Sequence, residues 1–333
     1  MTPYQRVMNR LEGKKVDKIP NLNIIMTFAA KYIDIPYSKY ATDYRYLVEG
    51  NIRCCDDFGI DMLSAISDPC RELHDFGANI IFPPDGVPVC KDFLIKKHSD
   101  LEKIKLKDPL KGKRMLDRIK AVQLFRQRAG GYYPVLGWLE GAFAEAANLR
   151  GLTDLLIDII DAPDFSTELL ELCAEQAIRF GKEQINAGAD FIGMGDSAAS
   201  LIGPEHYGKF VLPYEQKIIR TFHDMGAKVK LHICGDISNI LELVSRTGAD
   251  IIDIDWMVDF KKAIKTLGSK SSASGNFDPM VLLSGDEARV VEEIKRCIEE
   301  SDSNTFIAAG CEVPTNTPVK IMEKMNMVLK RHT

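Results

Sequence analysis

Gly188-Ala189-Asp190-Phe191-Ile192-Gly193-Met194-Gly195-Asp196-Ser197 is the stretch that decides the fold. Gly188 stands where a helix would end, because glycine enters the left-handed cap conformation without a Cβ penalty. An apolar run of strand length follows and stops at a carboxylate and a hydroxyl. The same glycine-then-strand pattern returns at Gly248-Ala249-Asp250 and at Gly59 before Asp61. Outward from there, strand-length runs occupy Ile19–Met26, Asp61–Ile66, Tyr132–Glu140, Asp190–Asp196, Lys228–Cys234, Asp250–Trp256, Ser271–Asp278 and Thr305–Glu312. From the third onward they are separated by stretches long enough for a crossover helix, which predicts a parallel sheet with helices outside it. Val290, Val291, Ile294, Cys297 and Ile298 share one helical face, and Thr317-Pro318 reads as a capping hydroxyl before the first helical residue. Eight such units in 333 residues predict an α/β fold of the (β/α)8 TIM-barrel kind, with a doubly wound open sheet as the alternative.

One segment breaks the alternation. Ile80-Ile81-Phe82, the turn Pro83-Pro84-Asp85-Gly86 and Val87 to Ile95 predict a β-hairpin after the second strand, and Ser99 to Arg128 is charged and helix-rich. With no linker or repeat array, the expectation is one domain over residues 1–333, elaborated over about residues 70–130. A net charge of −5 without a basic block argues against nucleic acid as a partner. The polar stretch Met1 to Gly13 does not read as a secretory signal, and no apolar run is long enough for a bilayer. The expected location is cytoplasmic, away from any membrane, with the eight cysteines reduced.

The interior of a barrel strand should be apolar, yet polar residues crowd the predicted C-terminal strand ends. These ends read Trp138-Leu139-Glu140, Gly195-Asp196-Ser197, His232-Ile233-Cys234-Gly235, Asp253-Ile254-Asp255-Trp256, Gly275-Asn276-Phe277-Asp278 and Gly310-Cys311-Glu312. In a barrel they ring one mouth, the face on which active sites are built. His232 and Cys234 lie two apart on a strand and point the same way, and Cys311 ends another strand on the same rim. One imidazole and two thiolates suit zinc, with a fourth position for water, substrate or a side chain such as Glu140. Cys54, Cys55, Cys70, Cys90, Cys173 and Cys297 read as structural, and His74, His98, His206, His223 and His332 as surface or capping residues. Glu140, Glu145, Asp196, Asp255 and Asp278 read as acid–base groups, metal ligands or loop caps, with Glu140 and Asp196 the expected catalytic pair. Trp138 and Trp256 either fill the barrel or face a flat ring.

These residues resemble the uroporphyrinogen decarboxylase superfamily over essentially the whole chain. The resemblance is carried by Asn9-Arg10-Leu11-Glu12-Gly13 with Val16-Asp17-Lys18-Ile19-Pro20, by Gly203-Pro204-Glu205-His206-Tyr207 with Phe210-Val211-Leu212-Pro213-Tyr214, by Leu231 to Gly235 and by Gly275 to Pro279. Decarboxylase members carry arginines after the first strand, where this chain reads Met26-Thr27-Phe28-Ala29-Ala30-Lys31. His232, Cys234 and Cys311 instead resemble the zinc ligands of the corrinoid-dependent methyltransferase branch. That resemblance implies Zn2+, a corrinoid (cobalamin) carried by a partner protein, and a small methyl donor, and it is compatible with a homodimer. Within the branch, Gly137 to Gly141 and Glu145 to Gly151 resemble the O-demethylase methyltransferases, which implies a methoxylated aromatic donor. Methylation of a thiol such as coenzyme M is the alternative, and decarboxylation the lesser one. Met26, Trp138, Trp256 and Asn276 are the expected substrate contacts.

Overall fold

The computed structural model describes residues 1–331. Helix Tyr44–Phe58 ends on Gly59 and helix Pro163–Asn186 runs out just before Gly188, and both glycines take positive φ, as the caps require. Nine strands follow in chain order: β1 (Leu63–Ser64), β2 (Ile80–Ile81), β3 (Val89–Cys90), β4 (Val135–Glu140), β5 (Phe191–Gly195), β6 (Lys228–His232), β7 (Ile251–Ile254), β8 (Ser272–Phe277) and β9 (Phe306–Ala309). β1 and β4 to β9 form one parallel sheet in sequence order, and β2 pairs with β3 as the antiparallel hairpin read from the sequence. Helices lie between successive strands from β4 onward, so the fold is an α/β TIM-barrel fold. Among the described residues, no helix is long and apolar enough to cross a membrane.

The expected first strand, Ile19–Met26, does not form as a strand. Asn21 alone makes bridges, to Ile60 on one side and Ile307 on the other, and these close the curled sheet between the β1 and β9 edges. The reason is chemical. Pro20 has no N–H to donate, although its carbonyl accepts from Ile307 N at 3.3 Å. Side chains take over the missing ladder: Asn21 N donates to Asp61 Oδ2 at 2.8 Å, and Ala309 N donates to Asn23 Oδ1 at 2.8 Å. Asp61 also holds Arg6 at 2.5 Å and Lys18 at 2.9 Å. A second correction concerns Thr317, whose hydroxyl is buried without a partner and caps nothing; the last helix begins at Val319.

Inside the barrel, Leu22, Met62, Leu136, Trp138, Phe191, Ile251 and Phe306 pack as one apolar cluster. Helix Pro3–Leu11 adds Val7 to it, while Arg10 donates to the carbonyls of Thr305 and Asp302. That helix therefore plugs the N-terminal end, and the C-terminal mouth is the end left for chemistry.

Candidate metal centre at the barrel mouth

Strand alternation turns Lys230 and His232 of β6 into the barrel, and the register pairs His232 with Gly195 on one side and Asp253 on the other. His232 Nε2 lies 2.8 Å from Cys234 Sγ and 3.9 Å from Cys311 Sγ, and the two sulfurs are 3.7 Å apart. These three donor atoms all lie within 4.8 Å of one another. Around zinc, with bonds of about 2.3 Å to sulfur and about 2.0 Å to nitrogen, tetrahedral donors stand roughly 3.5–3.8 Å apart. The sulfur pair meets that spacing and is far too long for a disulfide, the Nε2–Cys311 separation is just beyond it, and the Nε2–Cys234 pair, at hydrogen-bond distance, need only open by a rotamer adjustment to admit an ion. The three residues therefore fit a zinc-sized cation. The Cys234 hydrogen bond, with help from His232, holds the Cys311 thiol below its ordinary range, and Cys234 is pushed up in return.

Two residues behind the imidazole were missed by the sequence reading. Asp253 Oδ2 lies 3.1 Å from His232 Nδ1, and Lys230 Nζ pairs with the same oxygen. Burial opposes charge on both His232 and Asp253. Even so, the pairing with Asp253 and Cys311 raises the imidazole to about 9, and Lys230 and His232 hold Asp253 below the ordinary carboxylate range. The signal was available: Lys228, Lys230 and His232 share one face of a strand, and a lysine facing a barrel interior needs an anion. Asp255 sits nearby, accepting from Gly235 N at 2.8 Å, and burial raises its carboxyl.

A second polar cluster lines the wall at the end of β4. Glu140 accepts from Arg71 Nη2 at 2.7 Å and donates its own N–H to Glu72 Oε1 at 3.0 Å. Arg71, Glu72 and Glu145 are buried with it, and four of their polar atoms have no hydrogen-bond partner: Arg71 Nε and Nη1, Glu72 Oε2 and Glu145 Oε1, of which Arg71 Nε and Glu72 Oε2 form only an ion pair at 3.6 Å. Burial raises the Glu140 carboxyl to about 7 against the pull of Arg71, and raises Glu145 well above its usual range. Glu140 is not one of the clustered donors, so the structure does not bring it in as a fourth ligand. It stands two strands round from His232, across Gly195 of β5, where a Cβ would begin 3.3 Å from Glu140 Oε2.

The remaining expected residues are dispersed. Asp196 does not join the mouth: its Oδ1 accepts from Ala144 N at 2.7 Å in the first turn of helix Ala142–Arg150, and burial raises it to about 7. Asn276 turns toward the helical layer, donating to Val258 O at 2.7 Å and accepting from Arg296 at 3.3 Å. Asp278 caps Met280 N at 2.9 Å. Trp138 is only 3 % exposed and lies under the imidazole, with ring centroids 6.3 Å apart. Trp256 is 50 % exposed beyond the end of β7. Met26 is half-buried beside Thr27, whose N–H and hydroxyl bind Glu312 next to Cys311. A cleft of about 560 Å³ opens beside it, lined by Thr27, Lys31, Asp34, Tyr37, Asp85 and Asn316, so the hairpin turn contributes to the rim. His74, His98 and His223 pair with Asp75, Asp158 and Asp250, and His206 stacks on Phe210; His332 lies outside the described residues.

The family profile described as uroporphyrinogen decarboxylase (URO-D) matches residues 2–332. The methylcobamide:CoM methyltransferase of Methanosarcina mazei is 31 % identical over 97 % of this chain and 96 % of its own length. A uroporphyrinogen decarboxylase of Carboxydothermus hydrogenoformans is 27 % identical over 82 % of this chain and 79 % of its own. Among solved structures, a methyltransferase from Methanosarcina mazei superposes with a TM-score of 0.91 at 21 % identity, covering 99 % of both chains. The chain belongs to the uroporphyrinogen decarboxylase family. Within that family it stands with the methyltransferases and is an enzyme of that class.

Proposed function

We propose that the chain transfers a methyl group from a corrinoid, carried by a partner protein, to a small thiol at a zinc ion held by His232, Cys234 and Cys311. The observation that carries this reading is the convergence of one imidazole and two thiols at the barrel mouth, which leaves one tetrahedral position for a substrate. Bound zinc would lower the pKa of a thiol beside it and so supply a thiolate nucleophile at neutral pH. The chain's own groups do the rest. Asp253 fixes the imidazole so that Nε2 faces the thiols. Trp138 forms a dry floor beneath them. Glu140, with a carboxyl near neutrality, takes up the proton that the thiol loses. Asp196 acts only by holding the helix after β4, and the exposed Trp256 face is the rim surface offered to the corrinoid.

The methoxylated aromatic donor expected from the sequence is the second reading. Two features of the stretches Gly137 to Gly141 and Glu145 to Gly151 weigh against it. Trp138 is covered by the imidazole instead of presenting a face to an aryl ring. Glu140 and Glu145, two carboxyls that would otherwise repel an anionic thiol, are partly neutralised, Glu140 by Arg71 and Glu145 by its raised protonation range. The relatives carrying the thiol activity in their names add weight on the same side. The test mixes the purified protein with methylcobalamin and 2-mercaptoethanesulfonate or 2-mercaptoethanol, with metal analysis alongside. Loss of the methylcobalt spectrum with thioether formation is expected. Methylcobalt formed from cobalt(I) and a methoxyarene, with no thiol methylated, would overturn it.

A further inference from the structure

We infer that Lys230 is a charge-balancing, positioning residue that makes this centre favour an anionic fourth ligand, a thiolate, over a neutral one. The inference rests on the metal centre proposed above and deepens it. Lys230 is 1 % exposed inside the barrel, and its ammonium pairs with the Asp253 oxygen that also binds His232. A lysine buried this deeply costs desolvation, and no step described above uses it. Its effect follows from counting charges. A divalent cation with two thiolates and an imidazole is neutral, and Asp253 behind the imidazole adds one negative charge. A substrate thiolate adds a second. Lys230 offsets one of the two, and in a low-dielectric interior the offset favours the anion, while a neutral ligand does not feel it. Lys230 touches neither substrate nor the donor atoms, so it acts through Asp253 and His232.

The test is equilibrium binding to the cobalt(II)-substituted full-length chain, read from the visible and near-ultraviolet cobalt bands. 2-Mercaptoethanol is the thiol probe and imidazole the neutral one. Lys230→Met is expected to weaken the thiol by ~10-fold and leave imidazole within about twofold. Lys230→Arg should keep the wild-type preference. The double variant Lys230→Met/Asp253→Asn removes both charges together and should restore the thiol preference, which also decides the matter if the single variant does not fold. Equal loss of both ligands, or no change in either, would overturn the inference and leave the thiol-transfer reading standing. A wild-type centre that takes imidazole but no thiol would overturn that reading and this one together.

Discussion

At the ends of β6 and β9, His232, Cys234 and Cys311 are within hydrogen-bonding reach of one another, and a single small cation would satisfy all three. At the end of β4, Arg71, Glu72, Glu140 and Glu145 are at least as buried, yet four of their polar atoms make no hydrogen bond, and Arg71 Nε meets Glu72 Oε2 only as a loose ion pair at 3.6 Å. The first cluster has converging donors, and the second has one close ion pair, Arg71 with Glu140, among charges that otherwise meet loosely or not at all. Buried polar groups are almost always satisfied, and exceptions gather where function overrides stability. The contrast separates two tasks on one rim: a centre built to hold an ion, and a wall built to keep a carboxyl near neutrality.

The comparison breaks first at Arg71. Arg71→Met strips the cation bonded to Glu140 and should destabilise the fold by roughly 3–5 kcal/mol, read by chemical denaturation. An unchanged unfolding midpoint would mean that the wall is not a buried ionic cluster. Next is the centre itself. Cys311→Ser should abolish zinc retention and lower methyl transfer by about 100-fold or more with an unchanged circular dichroism spectrum, whereas Cys173→Ser should do neither. Equal zinc in both variants would remove Cys311 from the ligand set. Glu140→Gln is expected to reduce turnover by roughly tenfold at full metal content and to erase the pH limb near 7. A limb surviving in this variant would assign the proton to another group.

The smallest effect belongs to Asp196, which separates buried carboxyls at the mouth from those behind it. In the fold it keeps its proton up to about pH 7, whereas the unfolded chain loses it near the ordinary value of 3.8. Its contribution to stability is therefore complete below about pH 4 and lost as pH rises through 7. Asp196→Asn cannot ionise, so its stability relative to wild type should improve between about pH 4 and pH 7 and level off above that in thermal melts. A constant difference across that range would show that Asp196 is ionised in the native protein.

His232, Cys234 and Cys311 were legible because strand periodicity and the rule of polar strand ends are local to each segment. So was the ring of helices and strands from β4 to β9, and the hairpin at Ile80–Ile81 and Val89–Cys90. Asp196 and Asn276 misled for the same reason. Position at a strand end says which end of the barrel a residue occupies, but not whether its side chain turns to the mouth or to the helical layer. Arg71 was invisible because it lies on a short helix between strands, far in sequence from Glu140. Lys230 and Asp253 were readable only as a pair, since each alone is an improbable interior residue and register makes them neighbours.

The seam at Asn21 gives the barrel a preferred point of opening. Where β4 to β9 are joined by continuous ladders, the ring closes here through the two bridges of Asn21, scattered backbone bonds of Pro20, Leu22 and Ile24, the side-chain amide of Asn23 and the carboxylate of Asp61. Because Arg6 of the plugging helix and Lys18 share that carboxylate, the seam and the plug are one latch. Slow fluctuations of the native protein should start there. In hydrogen–deuterium exchange, the amides of Asn21 to Asn23 and Asp61 would lose protection together with those of helix Pro3–Leu11, while the strands carrying His232 and Asp253 stay closed. The molecule can thus breathe at its N-terminal side without disturbing the geometry at its mouth.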